Sequence, residues 1–188
     1  IALLLVHPDN ITSPAFHETH GLPVDGAKYM LVSINIQDGL CSWSKWIRFA
    51  PHGHHFGSLK TNSMGDAILC GWFHIHSADK YPPFTYDNSV IIDSQYGAEF
   101  SGFSFYVSKM GDLKWVKTLP FSKEYAKGNC AIWDVAIGSN DTLIFSGGYS
   151  GPTKFGSIHL PEDSLNGYTG FVAKCTPEGE VLWATPIV

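Results

Sequence analysis

Toward its C-terminal end the chain runs Gly170-Phe171-Val172-Ala173-Lys174-Cys175-Thr176-Pro177-Glu178-Gly179-Glu180-Val181-Leu182-Trp183. Two apolar stretches flank a turn centred on Gly179, and the second ends on a tryptophan. Residues two apart in an extended strand share a face, so this reads as a hairpin whose terminal indole packs on one side of a sheet. The same sentence occurs twice more. Tyr106-Val107-Ser108-Lys109-Met110-Gly111-Asp112-Leu113-Lys114-Trp115 repeats it, as does Leu31-Val32-Ser33-Ile34 followed by Asp38-Gly39-Leu40-Cys41-Ser42-Trp43. The recurrence at intervals of roughly 70 residues marks an internal repeat, and such repeats mean stacked supersecondary units.

A second pair of strands lies between these hairpins. Gly65-Asp66-Ala67-Ile68-Leu69-Cys70-Gly71-Trp72-Phe73 and Asn140-Asp141-Thr142-Leu143-Ile144-Phe145-Ser146-Gly147-Gly148-Tyr149 both run from a polar turn through an apolar strand to Gly and an aromatic. Further strands, Phe56 to Asn62 and Ala131 to Ile137, precede those turns. One unit thus contains about four strands, and no segment sustains a 3.6-residue period, so little helix is expected.

Composition agrees. Gly is frequent and aromatics reach 14%, while charged residues are only 15%. That balance favours short strands and tight turns over helices. Apolar residues at 44% suffice for a buried core. The net charge of −5 without a Lys/Arg cluster argues against nucleic acid as a partner, because phosphate neutralisation needs a basic footprint. No apolar run is long enough for a membrane helix, so no membrane insertion is expected. Ile1 to Val6 lacks the basic region and cleavage site of a signal peptide and reads as a strand inside a mature or partial chain.

The repeat resembles those of bacterial-type seven-bladed β-propeller proteins, with Gly170 to Thr185 the best-matching stretch. The resemblance implies an all-β fold: a β-propeller-like array of four-stranded antiparallel blades, here about two and a half units. It also implies a surface or secreted setting and carries over no catalytic residues. The expected organisation is a partial unit at 1–27, holding the last strand of a preceding blade and a loop. A first repeat at 28–102 has a long insertion at 74–102, a second repeat spans 103–169, and the first half of a further unit spans 170–188. The opening strand, Ala2 to Val6, and the closing pair read as two parts of one split unit. Exposed strand edges at the ends favour head-to-tail pairing with other copies or further repeats.

Candidate chemistry is sparse. His54 or His55 with His74 and His76 could form a zinc site, but none matches the metalloprotease helix motif. Asp87-Asn88, Asp93, Glu99 and Glu162-Asp163 are acidic loop residues without a calcium-loop pattern. No nucleophile elbow or phosphate loop occurs, so no enzyme, no catalytic residue and no cofactor is expected, with zinc or calcium the alternatives. Trp72, Phe73, Tyr81, Phe84 and Tyr86 gather around the insertion as rings for a carbohydrate or protein partner, or as the insertion's own core. Asn10 and Asn140 head glycosylation sequons, which with up to two disulfides among Cys41, Cys70, Cys130 and Cys175 would suit an extracellular or cell-surface protein. The function expected is that of a structural or adhesive repeat protein assembling into a larger propeller, layer or filament. The alternatives are a carbohydrate- or ligand-binding module and, behind it, a propeller-type glycosidase or lyase.

Overall fold

The computed structural model describes residues 2–6, 27–48, 54–74, 84–87, 89–92, 100–119, 129–161 and 167–187. These residues form an all-β fold of several antiparallel sheets, with a single 3-10 turn, Ser139–Asp141, among them. The chain divides into two compact units: Ile1–Pro51 with Lys80–Ser94 and Met110–Asp112, and His52–Asp79 with Gln95–Lys109 and Leu113–Val188.

The first unit is one five-stranded sheet in the order β1 (Ala2–Val6), β2 (Ala27–Ile34), β3 (Cys41–Arg48), β6 (Phe84–Tyr86), β7 (Ser89–Ile92). Met30, Leu31, Val32 and Ser33 are buried in succession, so β2 has no solvent face over that run. The insertion supplies β6 and β7, which extend the sheet beyond β3. Asp87, at φ +47 in the turn between them, donates its N–H to the Trp46 carbonyl, and its carboxylate takes the Lys45 ammonium at 2.5 Å.

The second unit holds two four-stranded sheets, each a meander in chain order. One is β4 (His54–Thr61), β5 (Ala67–His74), β8 (Phe100–Val107), β9 (Leu113–Leu119). The other is β10 (Asn129–Ile137), β11 (Leu143–Ser150), β14 (Thr169–Cys175), β15 (Val181–Ile187), with the hairpin β12 (Thr153–Phe155) and β13 (Ile158–Leu160) between. The two sheets pack through β10. A Cβ on Gly57 of β4 would stand 2.2 Å from the Trp133 carbonyl oxygen, and one on Gly102 of β8 would stand 3.0 Å from Ile132. Only glycine permits backbones so close. Around that approach lie Ile68, Cys70, Leu119, Cys130, Ile132, Phe145 and Phe171, a shared apolar core.

The repeat is written in the hydrogen-bond register as well as the sequence. Ala67↔Val107 through Gly71↔Phe103 in β5–β8 matches Leu143↔Cys175 through Gly147↔Phe171 in β11–β14, and Ala2↔Ile34 through Val6↔Met30 in β1–β2. Bulges recur too: between Phe56 and Ser58, and between Ile132 and Asp134, each opposite the strand glycine Gly71 or Gly147. Three more recur at the ends of β2, β8 and β14.

The sheets group the strands in a frame offset from the sequence repeat. β8 and β9 join β5 across the insertion, and β14 and β15 complete the sheet begun by β10 and β11. β1 pairs with β2.

Candidate functional site

In the second unit, three turns at one end of the sheets surround a cleft of about 500 Å³, a volume within the range of small-ligand sites. Its wall is a stacked pair, Tyr106 and Trp115, with ring centroids 5.6 Å apart and planes 12° from parallel. Asn62 and Asp66 come from the β4–β5 turn, Asp141 from the β10–β11 turn and Glu178 from the β14–β15 turn.

Each turn is fixed locally. The Asn62 side-chain carbonyl accepts the N–H groups of Met64 and Asp66, an Asx turn. Its amide donates to the Tyr106 hydroxyl at 2.8 Å. Asp66 accepts the Lys109 N–H at 2.8 Å and lies 3.3 Å from the same hydroxyl. Burial first, and then the Asp66 charge and hydrogen bond, push the Tyr106 phenol up to about 12. Asn140 and Asp141 are both left-handed, at φ +57 and +56, and the Thr142 N–H closes on the Ser139 carbonyl. Consecutive positive φ angles twist a tight hairpin with the hand of its strands. Asn140 is exposed there.

Trp115 links this site to the repeat. Its indole N–H donates to the Pro177 carbonyl at 2.9 Å, and its ring lies 3.2 Å from where a Cβ on Gly179 would stand. Lys117 closes over the same turn, 3.0 Å from the Glu180 carboxylate. In the first unit Trp43 stands in the same relation to Gly111, 2.9 Å from its Cβ position, with Lys45 alongside. Each of these tryptophans therefore covers the glycine turn of the following repeat.

The residues singled out from sequence are scattered. His55 is exposed and stacks on Trp72 at 5.4 Å. His54, His74 and Phe84 are placed as strand backbone, in β4, β5 and β6. Asn10, His76 and Tyr81 lie outside the described residues, as do Asn88, Asp93, Glu99 and Glu162-Asp163. Among the described residues no three His, Cys, Asp or Glu side chains gather as a metal set. Phe73 packs on Phe103 within its own sheet. Tyr86 is only 3% exposed and donates its hydroxyl to the Gly111 carbonyl, so it offers no ring face to a ligand. All four cysteines are free thiols. Burial pushes Cys70 up to about 12 and Cys175 up to about 11, and raises Cys130 and Cys41 as well.

Two exposed features were not legible beforehand as sites. Trp133, on the β10 bulge, is exposed and reaches over Gly148, whose Cβ would meet the edge of its ring at 2.8 Å, with Tyr168 beside it. The cleft itself draws on three turns distant from one another in sequence, around Asp66, Asp141 and Glu178, and only the recurrence of those turns in successive repeats hints at it.

Fold and site together define an all-β repeat protein of antiparallel sheets. The sequence matches no protein-family model and no curated protein. No helix among the described residues is long and apolar enough to cross a membrane.

Proposed function

We propose that this chain is a structural and adhesive repeat protein of the cell exterior, built of β-propeller-like sheets and working by association with repeats of its own kind. The observation that carries this reading is the seat of Trp115 on the Gly179 turn, with its hydrogen bond to Pro177 and the Lys117–Glu180 pair closing over it. One repeat is shaped to receive the next. A sheet of four strands cannot bury both faces alone, so stacking on like sheets is its source of stability. The exposed, tightly turned Asn140 suits a glycan, which supports the exterior setting. Catalysis forms no part of the proposal.

Electron microscopy of the purified chain at rising concentration tests it. Rings, layers or filaments are expected, and particles that stay monomeric at every concentration would overturn it.

The cleft favours a second reading, a carbohydrate-binding module. The carboxylates of Asp66, Asp141 and Glu178 around the cleft are groups that accept hydrogen bonds from a sugar's hydroxyls. A glycan array followed by titration of Asp141→Ala checks this. Binding that survives the substitution unchanged would place the sugar elsewhere.

A further inference from the structure

The chain carries three copies of the tryptophan strand and three of the glycine turn, and among the described residues the structure pairs two of each. Trp43 covers Gly111 and Trp115 covers Gly179. The third turn, at Gly39, has the same left-handed backbone, φ +74 against +86 and +81, and nothing among the described residues lies within 4 Å of its Cβ position. Gly39 is exposed where Gly111 and Gly179 are buried. The third tryptophan, Trp183 of β15, is 43% exposed.

The rest of the strand face follows suit. Trp43, Lys45 and Ile47 share one face of β3, and Trp115, Lys117 and Leu119 share one face of β9. Ile47 and Leu119 are buried there. The corresponding residues of β15 are Trp183, Thr185 and Ile187, all exposed, with Ile187 at 57%. A large apolar ring and an isoleucine left open on one strand face form a docking surface for a complementary body.

We infer that the Trp183–Thr185–Ile187 face of one copy seats on the Gly39 turn of a second copy of the same chain. This rests on the assembly reading above and gives it a contact. The two halves differ from the inner contacts in matched ways. Where the inner contact sets Lys117 against Glu180, the open halves carry Thr185 on the strand and Leu40 on the turn. An ion pair is replaced by an uncharged pair on both sides at once, so no charge is left without its partner. Leu40 and Ile36 of the open turn are exposed apolar residues at 67% and 71%, which adds apolar surface for Ile187 to meet. Pro186 removes a backbone donor from β15, an edge strand, which disfavours simple strand addition and leaves the side-chain face as the route of contact. The contact is heterologous: each copy offers one half and accepts the other, which builds a ring if the rotation closes and a filament if it does not.

The test is sedimentation of the full chain and of two variants. Trp183→Ala removes an exposed ring, and Gly39→Asn adds a side chain into open space on a residue that tolerates positive φ, so both variants keep the monomer fold. Each variant alone is expected to lose association by ~30-fold or more, the effect of removing an aromatic anchor or blocking its seat. Mixed one to one, they are expected to form dimers and stop, because the Trp183→Ala chain retains its turn and the Gly39→Asn chain retains its ring. Assembly of the wild type with both variants assembling equally well would overturn this contact and leave the assembly reading standing. A wild type that stays monomeric would overturn both. Loss in each variant without rescue on mixing would overturn the head-to-tail pairing.

Discussion

Trp115 donates its indole N–H to the Pro177 carbonyl at 2.9 Å while its ring rests over Gly179. The turn therefore holds the ring by a polar and an apolar contact together, and each depends on Gly179 having no side chain. Gly179→Ala places a methyl 3.2 Å from the indole on a residue at φ +81, a double penalty of steric contact and backbone strain. A loss of roughly 2–4 kcal/mol in unfolding free energy is expected. Trp115→Phe keeps most of the apolar area but leaves the Pro177 carbonyl without this donor, for a loss of about 1–2 kcal/mol. Urea unfolding followed by tryptophan fluorescence or circular dichroism measures both, and equal stability of wild type and Gly179→Ala would show that the turn is not the seat of the ring.

Gly71 and Gly147 occupy the same register position, each opposite a phenylalanine and beside a bulge. A Cβ on Gly147 would stand 2.0 Å from the Ala131 carbonyl oxygen, and one on Gly71 the same distance from that of His55. No side-chain rotation relieves a clash with a neighbouring strand's backbone, so either Ala substitution must shift a ladder of hydrogen bonds. Each is expected to cost about 3 kcal/mol or more, at the extreme of single substitutions. Gly167, with nothing among the described residues within 4 Å of its Cβ position, is the control and should change stability little as Gly167→Ala. Thermal melts of the three variants decide the point: a Gly147→Ala protein melting with the Gly167→Ala protein would contradict the close approach.

Much of this architecture is legible in the chain because glycine turns and strand-ending tryptophans are local signals. Gly39, Gly111 and Gly179 each precede their tryptophan by four residues, and a positive φ is found at every one. The pairing of β5 with β8 is another matter. It spans the insertion, and nothing local in Ala67–His74 distinguishes β8 from the strand before it as its neighbour. Tyr86 shows a second boundary. An aromatic in a loop-rich stretch suggests an exposed ring, yet its hydroxyl finds the Gly111 carbonyl at 2.9 Å and the side chain is buried, a long-range contact that no periodicity encodes. The cleft is the extreme case, since Asp66, Asp141 and Glu178 are ordinary turn carboxylates until three turns are brought to one end of the sheets.

The thiols offer an independent check on burial. Cys70, Cys130 and Cys175 are buried, and desolvation holds each in the neutral, unreactive form. Cys41 is half-buried, with its Sγ 3.3 Å from the Trp43 carbonyl. A thiol reagent at neutral pH is expected to modify Cys41 first, and the other three only as the protein unfolds. Modification of all four at one rate in the native protein would contradict the packing of the second unit.

Stability should also depend on alkaline pH in a definite sense. The Tyr106 phenol ionises at about 12 in the folded chain against 10.0 for an unperturbed group, because burial and then Asp66 disfavour the phenolate. Cys70 and Cys175 move the same way from 9.0, to about 12 and about 11. A group whose folded value is raised binds its proton more tightly in the native state. Its contribution is complete below the unfolded value and is lost as pH climbs toward the folded one. The denaturation midpoint should therefore hold well below pH 9.0, fall as the thiols of the unfolded chain ionise around 9.0, and fall more steeply above 10.0 when Tyr106 joins them together with Tyr86, whose phenol burial also raises. Tyr106→Phe should weaken the steeper limb selectively, since it removes one ionising group while leaving the thiols in place. A midpoint as high at pH 11 as at neutrality would show that Tyr106, Cys70 and Cys175 are not shielded from solvent as the structure has them.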